Sequence, residues 1–214
     1  MADFAPAKGM TAAEQAALID SILAEATLAE KVGMMSGRGF FAGYKADGGV
    51  WAARPYRAGG GIDRLGVPAF WFTDGPRGVA RGNSTCFPCT MARGASFDTD
   101  LERRIGEAMS IEIRAQDCNL TGAVCVNLLR HPAWGRAQET YGEDTHHLGA
   151  MGAALGIGLQ THNVCATVKH FALNSMENAR FKVDVRIDER TLHEIYLPHF
   201  RTILDAGVAS VMSS

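Results

Sequence analysis

Residues 122–171 contain two apolar runs, "GAVCVNLL" (122–129) and "VCATVKHF" (164–171), on either side of the segment "THHLGAMGAALGIGLQTH" (145–162). Short, continuous apolar runs are typical of strands that are buried on both faces, and the segment between them has the length of a helix. The order strand, helix, strand predicts a parallel pair joined by a crossover. Four glycines within residues 148–159 predict that this helix packs closely against its neighbours.

The same alternation continues in both directions. Two more strands are predicted at "VPAFWFT" (67–73) and "VASVMS" (208–213), and two more helices at 99–116 and 188–207. Thr99 with Glu102 matches a capping box, Asp188 begins the last helix, and Pro198 predicts a break inside it. We therefore predict an α/β fold with a parallel sheet. Since four strands are half of a closed (β/α)8 barrel, we expect the N-terminal portion of a longer TIM-like barrel in preference to a complete open sheet.

The region before these elements begins with two further helices. Capping boxes at Thr11 with Glu14 and at Thr27 with Glu30 predict their starts. The stretch from Arg38 to Gly61 is dense in glycine, aromatic residues and arginine and has no periodicity. It is therefore predicted to be a long loop that covers a site.

The composition limits the class of protein. The 214 residues are 47% hydrophobic and 21% charged, with a net charge of −2 and mixed signs, which argues against a nucleic-acid partner. No secretory signal and no apolar run of membrane-spanning length is present, so we expect no membrane contact and a cytoplasmic location. The five cysteines are expected to be reduced, and the lone Cys86/Cys89 pair lacks further ligands, so no metal and no cofactor is predicted.

Polar side chains follow the predicted strands at their carboxyl ends. Because these ends share one face of a parallel sheet, residues far apart in the sequence are expected to converge there. The predicted group contains one carboxylate, which accepts protons from hydroxyl groups, and three fixed cations and an imidazole, which donate to hydroxyl oxygens. This mixture suits a neutral polyol better than a phosphate. No phosphate-binding glycine loop is present. A carbohydrate is therefore the favoured ligand. The predicted site residues are Asp74, Arg136, Lys169, His170 and Arg180.

Each of these residues also has a structural explanation. Asp74 lies in an Asp-Gly-Pro sequence that is common in turns, and Arg136 has several carboxylates nearby in the sequence to pair with. Glu177 and Arg180 have the spacing of an ordinary helix pair. The adjacent Lys169 and His170 are harder to explain this way, because consecutive strand residues point to opposite faces unless the strand is ending.

Five segments together resemble the N-terminal domain of family three glycoside hydrolases, in particular the β-glucosidase branch. They are "TDGPRGV" (73–79), "HPAWGRAQETYGED" (131–144), "VKHFALNSMENAR" (168–180), "IDERTLHEIYLPHF" (187–200) and "GVASVMSS" (207–214). The resemblance covers residues 27–214, so we expect an N-terminal helix within 1–26 and a partial barrel over 27–214. The "KHFPGHG" loop of the family's β-N-acetylhexosaminidases is absent.

The resemblance implies roles for the same five residues in the subsite that holds the nonreducing-end sugar. Asp74 matches an aspartate that binds hydroxyl groups on the far side of the glucose ring. Arg136 matches the arginine that follows a Trp-Gly or Cys-Gly pair in the family. Lys169 and His170 match the pair that binds ring hydroxyls. Arg180 matches the arginine near the 2-hydroxyl and the nucleophile. The family nucleophile, in an "SDW"-like motif, and the acid/base have no counterpart in residues 1–214.

The expected function is therefore that of a β-glucosidase-type glycoside hydrolase. The full-length enzyme would release terminal nonreducing β-D-glucosyl residues with retention, while this chain would supply the sugar-binding subsite and no catalytic residue. The substrate would be a β-glucoside or an oligosaccharide, although glucose is not distinguished from xylose. The alternative is a non-catalytic sugar-binding or assembly module, as a short product or half of a split enzyme. The expected protein partner is a second copy, as a homo-oligomer, or the missing C-terminal portion.

Overall fold

A computed structural model describes residues 9–50 and 53–214. The chain divides into two compact units, one up to Phe72 and one from Thr73 to Ser214. In the part of the chain that is described, no helix is both long enough and apolar enough to cross a bilayer.

The described residues of the first unit form three helices and a hairpin, whose second strand ends at Thr73. They are α1 (Ala12–Glu25), α2 (Leu28–Met34), α3 (Phe40–Ala46), β1 (Tyr56–Ile62) and β2 (Val67–Thr73), with a 3-10 turn at Asp63–Leu65. Both predicted capping boxes are confirmed: each threonine side chain accepts from the backbone N–H of the glutamate three residues later, and that glutamate binds back. The helix starts are therefore determined locally, by side chains that bind otherwise unpaired N–H groups.

The prediction of one long loop from Arg38 to Gly61 is wrong, since α3 lies within it and β1 begins within it. Trp51 and Ala52 of this stretch lie outside the described residues. β1 contains three consecutive glycines, 59–61, so its own strand propensity is low. Antiparallel pairing with β2 orders it, with Tyr56 opposite Phe72. β2 is thus a predicted strand with an unexpected antiparallel partner.

The second unit contains the repeated α/β pattern. Its elements are α4 (Thr90–Gly94), α5 (Thr99–Ala115), β3 (Leu120–Cys125), α6 (Thr145–Gln160), β4 (Cys165–Phe171), α7 (Glu189–Thr191), α8 (Pro198–Asp205) and β5 (Ser210–Ser213). β4 pairs in parallel with β3 on one side and β5 on the other, which confirms the predicted crossovers through α6 and α8. The core lies between these strands and helices and includes Met109, Leu155, Val168 and Phe200.

Two helix boundaries show how local chemistry acts. α7 continues into a π-helical turn at Leu192–Tyr196, and a new helix begins with Pro198 in its first turn, so the predicted break is confirmed. The predicted Thr99–Glu102 capping box is wrong. Asp98 caps α5 instead, through Oδ1 and the N–H of Leu101, while the Glu102 side chain is buried against Arg93.

The helices α5 and α6 approach each other closely at two glycines. A Cβ atom on Gly158 would lie 2.1 Å from the carbonyl oxygen of Arg103, and one on Gly106 would lie 2.6 Å from that of Leu155. No side chain fits at either position, so the two backbones make direct contact. This confirms the tight packing that the glycines of α6 predicted, and it brings α5 against the helix that connects β3 to β4.

Candidate functional site

The carboxyl end of β4 carries a buried ion pair. The side chain of Lys169 is 2% exposed, and its Nζ donates a hydrogen bond of 2.9 Å to Oδ1 of Asp74. The same oxygen accepts from the N–H of Gly75 at 2.9 Å, in the turn that follows β2. Because a buried charge is tolerated when it is paired and hydrogen-bonded, each side chain fixes the position of the other.

The next residue, His170, is held by Asn127, which follows β3. Nδ1 of His170 lies 2.8 Å from Oδ1 of Asn127, and the backbone N–H of His170 donates to the same oxygen at 2.9 Å. Burial, together with the positive charges of Arg136, Lys169 and Arg180, lowers the pKa of His170 to about 2. The imidazole is therefore neutral at physiological pH. The peptide bonds Lys169–His170 and Phe171–Ala172 are cis.

Arg136 lies against the other side of the imidazole. Its Nη1 is 3.1 Å from Nε2 of His170, while Nε and Nη2 donate to the two carboxylate oxygens of Glu139 at 2.9 and 2.6 Å. Burial lowers the pKa of the guanidinium, but the hydrogen bonds and charge of Glu139 outweigh it, so the pKa is above its usual value. A two-point pair of this kind fixes the plane of the guanidinium as well as its position.

Glu177 connects the two arginines of the site. Oε2 accepts a hydrogen bond of 3.0 Å from Nη1 of Arg180, and Oε1 lies 4.0 Å from Nη1 of Arg136. Oε1 is buried and has no hydrogen-bond partner among the described residues, so it is an acceptor that a hydroxyl group can satisfy. Arg180 is the most open member of the group, with 42% of its side chain exposed.

The structure thus brings the five predicted site residues together. Asp74 touches Lys169, Arg136 touches His170, and Glu177 joins Arg136 to Arg180. The cluster presents carboxylate acceptors, guanidinium and ammonium donors and a neutral imidazole within one region. Such a mixture matches a ligand with several hydroxyl groups, each of which can donate and accept.

Asn127 and Glu139 are members of the site that were not predicted from the sequence. Asn127 is fully buried and donates through Nδ2 to the carbonyls of His170 and Ala172, at 3.0 and 3.3 Å. The available signal was an amide inside the apolar run "GAVCVNLL", where a polar side chain needs a specific partner. Glu139 was considered only as a possible partner of Arg136, and that pairing is present.

A second buried polar group supports the turn that follows Asp74. Arg93 pairs with Glu102 at 3.0 Å and donates to the carbonyl of Pro76 at 3.0 Å, and the hydroxyl of Tyr141 donates to Glu102 at 2.6 Å. Burial raises the pKa of the Glu102 carboxyl, although Arg93 and Tyr141 act against it. The group connects α4 and α5 to the backbone beside the Asp74 turn.

In residues 9–50 and 53–214, no three His, Cys, Asp or Glu side chains are arranged to hold a metal ion. Cys125, at the end of β3, is buried close to His170, with Sγ 4.0 Å from Nδ1. Burial raises the pKa of its thiol to about 11, so it is not a nucleophile at neutral pH.

Comparison with known proteins gives consistent matches. The profile of a family described as "Glycosyl hydrolase family 3 N terminal domain" matches residues 53–214. A β-glucosidase of Rhizobium radiobacter is 38% identical over 205 residues, which are 92% of this chain and 23% of that protein. Thermostable β-glucosidase B of Acetivibrio thermocellus is 34% identical over 195 residues, 85% of this chain and 24% of its own.

Solved structures agree with the sequence matches. β-Glucosidase 3B of Thermotoga neapolitana in complex with glucose has a TM-score of 0.79 at 32% identity, over 92% of this chain and 29% of that one. DesR, a β-glucosidase of Streptomyces venezuelae in complex with D-glucose, has a TM-score of 0.80 at 30% identity, and the match covers 91% of this chain and 24% of that one. The chain therefore spans roughly a quarter of the length of the relatives that it matches.

Proposed function

The chain belongs to glycosyl hydrolase family 3, whose N-terminal domain it matches over residues 53–214, and from this premise we propose that it supplies the sugar-binding subsite of a β-glucosidase-type enzyme. Its α/β fold is the N-terminal portion of that family's (β/α)8-like barrel. We further propose that residues 27–214 are the barrel portion and that residues up to 26 precede it. The ligand would be the terminal nonreducing glucosyl residue of a β-glucoside or oligosaccharide.

The observation that carries this proposal is the convergence of charged side chains from distant parts of the sequence. Asp74 and Lys169 are 95 residues apart and share a hydrogen bond of 2.9 Å, and Arg136 and His170 are 34 residues apart and lie 3.1 Å from each other. Two relatives with similar structures were solved with glucose bound, which supports a sugar as the ligand. A buried lysine paired with aspartate could orient a pair of neighbouring hydroxyl groups.

Within the whole enzyme, the five proposed site residues would hold the sugar while two other carboxylates carry out double displacement. As positive charge develops at the anomeric carbon, hydrogen bonds to the ring hydroxyls strengthen and lower the barrier. This chain by itself would bind the sugar without cleaving the glycosidic bond, since the family's nucleophile and acid/base have no counterpart in residues 1–214. No cofactor enters this scheme.

The test is a glucose titration followed by NMR, with a parallel assay of aryl β-glucoside hydrolysis. The unmodified chain is expected to bind glucose saturably, to lose most of that binding in Arg136→Ala, and to release no aglycone. Arg186→Ala is the matched control, because Arg186 is 89% exposed and pairs only with Asp184 among the described residues. Equal binding by both variants, or turnover by the unmodified chain, would refute the proposal.

A sugar-binding or assembly module without a catalytic partner is the second candidate. Sedimentation and urea unfolding distinguish the two, because a self-sufficient module should be a monomer that unfolds cooperatively. Self-association or association with a separately produced C-terminal portion would instead favour the enzyme.

A further inference from the structure

Asn127 makes a set of hydrogen bonds whose direction is fixed by its partners. Nδ2 faces the carbonyl oxygens of His170 and Ala172, which can only accept, and Oδ1 faces the backbone N–H of His170, which can only donate. The amide therefore has one possible orientation. A flipped amide would place NH₂ against N–H and carbonyl against carbonyl.

The orientation of the amide determines which ring nitrogen of His170 carries the proton. Oδ1 of Asn127 is also 2.8 Å from Nδ1 of the ring, and an oxygen acceptor at that distance requires a hydrogen on Nδ1. A neutral imidazole has one ring hydrogen, so Nε2 carries a lone pair. Nη1 of Arg136, which can only donate, lies 3.1 Å from Nε2 and fits this assignment independently.

We propose that Asn127 is a positioning residue that holds His170 as the Nδ1–H tautomer, so that Nε2 is a hydrogen-bond acceptor in the sugar subsite. The proposal rests on the proposed function for the ligand, but the tautomer itself can be measured without a sugar. The ring of His170 therefore accepts a hydrogen bond, whereas the sequence predicted that it would donate one. In the free protein, Arg136 occupies the acceptor, and a sugar hydroxyl that reaches Nε2 must donate its own hydrogen.

The proposal changes what the site recognises. Lys169 and the arginines can only donate, and Asp74 and Glu177 accept, so a neutral His170 adds an acceptor between fixed cations. Protonation would turn the ring into a fourth positive group next to Arg136, Lys169 and Arg180, and these charges oppose it. A sugar in which fluorine replaces the hydroxyl group that faces Nε2 keeps an acceptor there and loses the donor. Nε2 of His170 would therefore bind the sugar with the hydroxyl group and reject the fluorinated sugar.

The direct test is 15N NMR of the ring nitrogens in the full chain, with His170→Gln used to identify the His170 signals among the seven histidines. The expected result is a protonated Nδ1 and an unprotonated Nε2 that do not change between pH 5 and 8. A proton on Nε2, or a titration near the ordinary histidine value, overturns the proposal whether or not a sugar binds.

The second measurement uses Asn127→Ala, with Asn83→Ala at an exposed position as the matched control. Asn127→Ala is expected to shift the ring toward a mixture of tautomers and to weaken glucose binding about tenfold, the loss of roughly one strong hydrogen bond. If Asn127→Ala does not fold, the tautomer of the unmodified chain still decides the question. If that tautomer is Nδ1–H and glucose does not bind, the proposed function fails while the role of Asn127 stands.

Discussion

Replacing Asp74 by Asn removes the negative charge from the buried pair and keeps the shape of the side chain. Lys169 is then a buried ammonium with 2% of its side chain exposed and no carboxylate at 2.9 Å. At this distance and an effective dielectric constant of about 20, the lost attraction is about 6 kcal/mol. The amide oxygen still accepts a hydrogen bond, and measured losses for broken buried pairs are about 3–5 kcal/mol.

The structure places the expected cost at the lower end of that range. The Asp74 side chain is 18% exposed, so water can approach the position and partly solvate the lysine. We expect Asp74→Asn to lower the free energy of unfolding by about 3 kcal/mol. For a chain of this length, that loss corresponds to a decrease in Tm of roughly 6–12 °C.

The assay is thermal and urea unfolding followed by circular dichroism, arranged as a double-mutant cycle with Lys169→Met. The pair should show a coupling energy of at least about 2 kcal/mol, because removing both charges leaves no unpaired group. Asp184→Asn is the control, since Asp184 is 76% exposed and pairs with Arg186 at 3.0 Å; its cost should stay below about 0.5 kcal/mol. A similar small cost for Asp74→Asn, with no coupling, would refute the reasoning about the buried pair.

Three further predictions concern groups away from that pair. Burial lowers the folded pKa of His199 to about 4 from 6.5, so the unfolded chain binds more protons between these values. The contribution of His199 to stability, which is complete above pH 6.5, should therefore fall by about 3 kcal/mol as the pH drops to 4, in addition to the loss caused by the lowered pKa of His170. Urea unfolding across pH checks this, and an unchanged slope in His199→Leu would contradict it. Tyr141→Phe removes the 2.6 Å hydrogen bond to Glu102 and should lower the free energy of unfolding by about 1–3 kcal/mol, measured by thermal unfolding. An unchanged free energy would show that the Glu102 carboxylate is satisfied without this hydrogen bond. Cys86 is exposed and Cys125 is buried with a pKa of about 11, so a thiol reagent should label the first in the native protein and the second only after denaturation; equal rates would contradict the burial.

The sequence predicted those features that depend on neighbouring residues. The capping boxes at Thr11 and Thr27, the cap at Asp188 and the helix break at Pro198 are all present, because each involves groups within about four residues. The parallel pairing of β4 was also predictable, since a continuous apolar run needs cover on both faces.

The features that the sequence did not predict depend on distant partners. β1 is a strand because β2 pairs with it, and its three glycines gave no sign of that. Glu102 matched a local capping box, but the buried guanidinium of Arg93 competes for it more strongly. Asn127 could not be assigned because its partners lie 43 and 45 residues further along the chain. The convergence of Arg136 with His170 follows from the parallel direction of β3 and β4, which the apolar runs predicted.

The direct contact between α5 and α6 has a consequence for how this protein can vary. At Gly158 the obstacle to a larger residue is the carbonyl oxygen of Arg103, which belongs to the main chain and cannot be trimmed by a second substitution. Compensating mutations, which often rescue an enlarged side chain in a core, have nothing to act on here. Random mutagenesis followed by selection for folded protein should therefore return glycine at this position almost without exception, even in libraries that freely exchange the surrounding aliphatic residues.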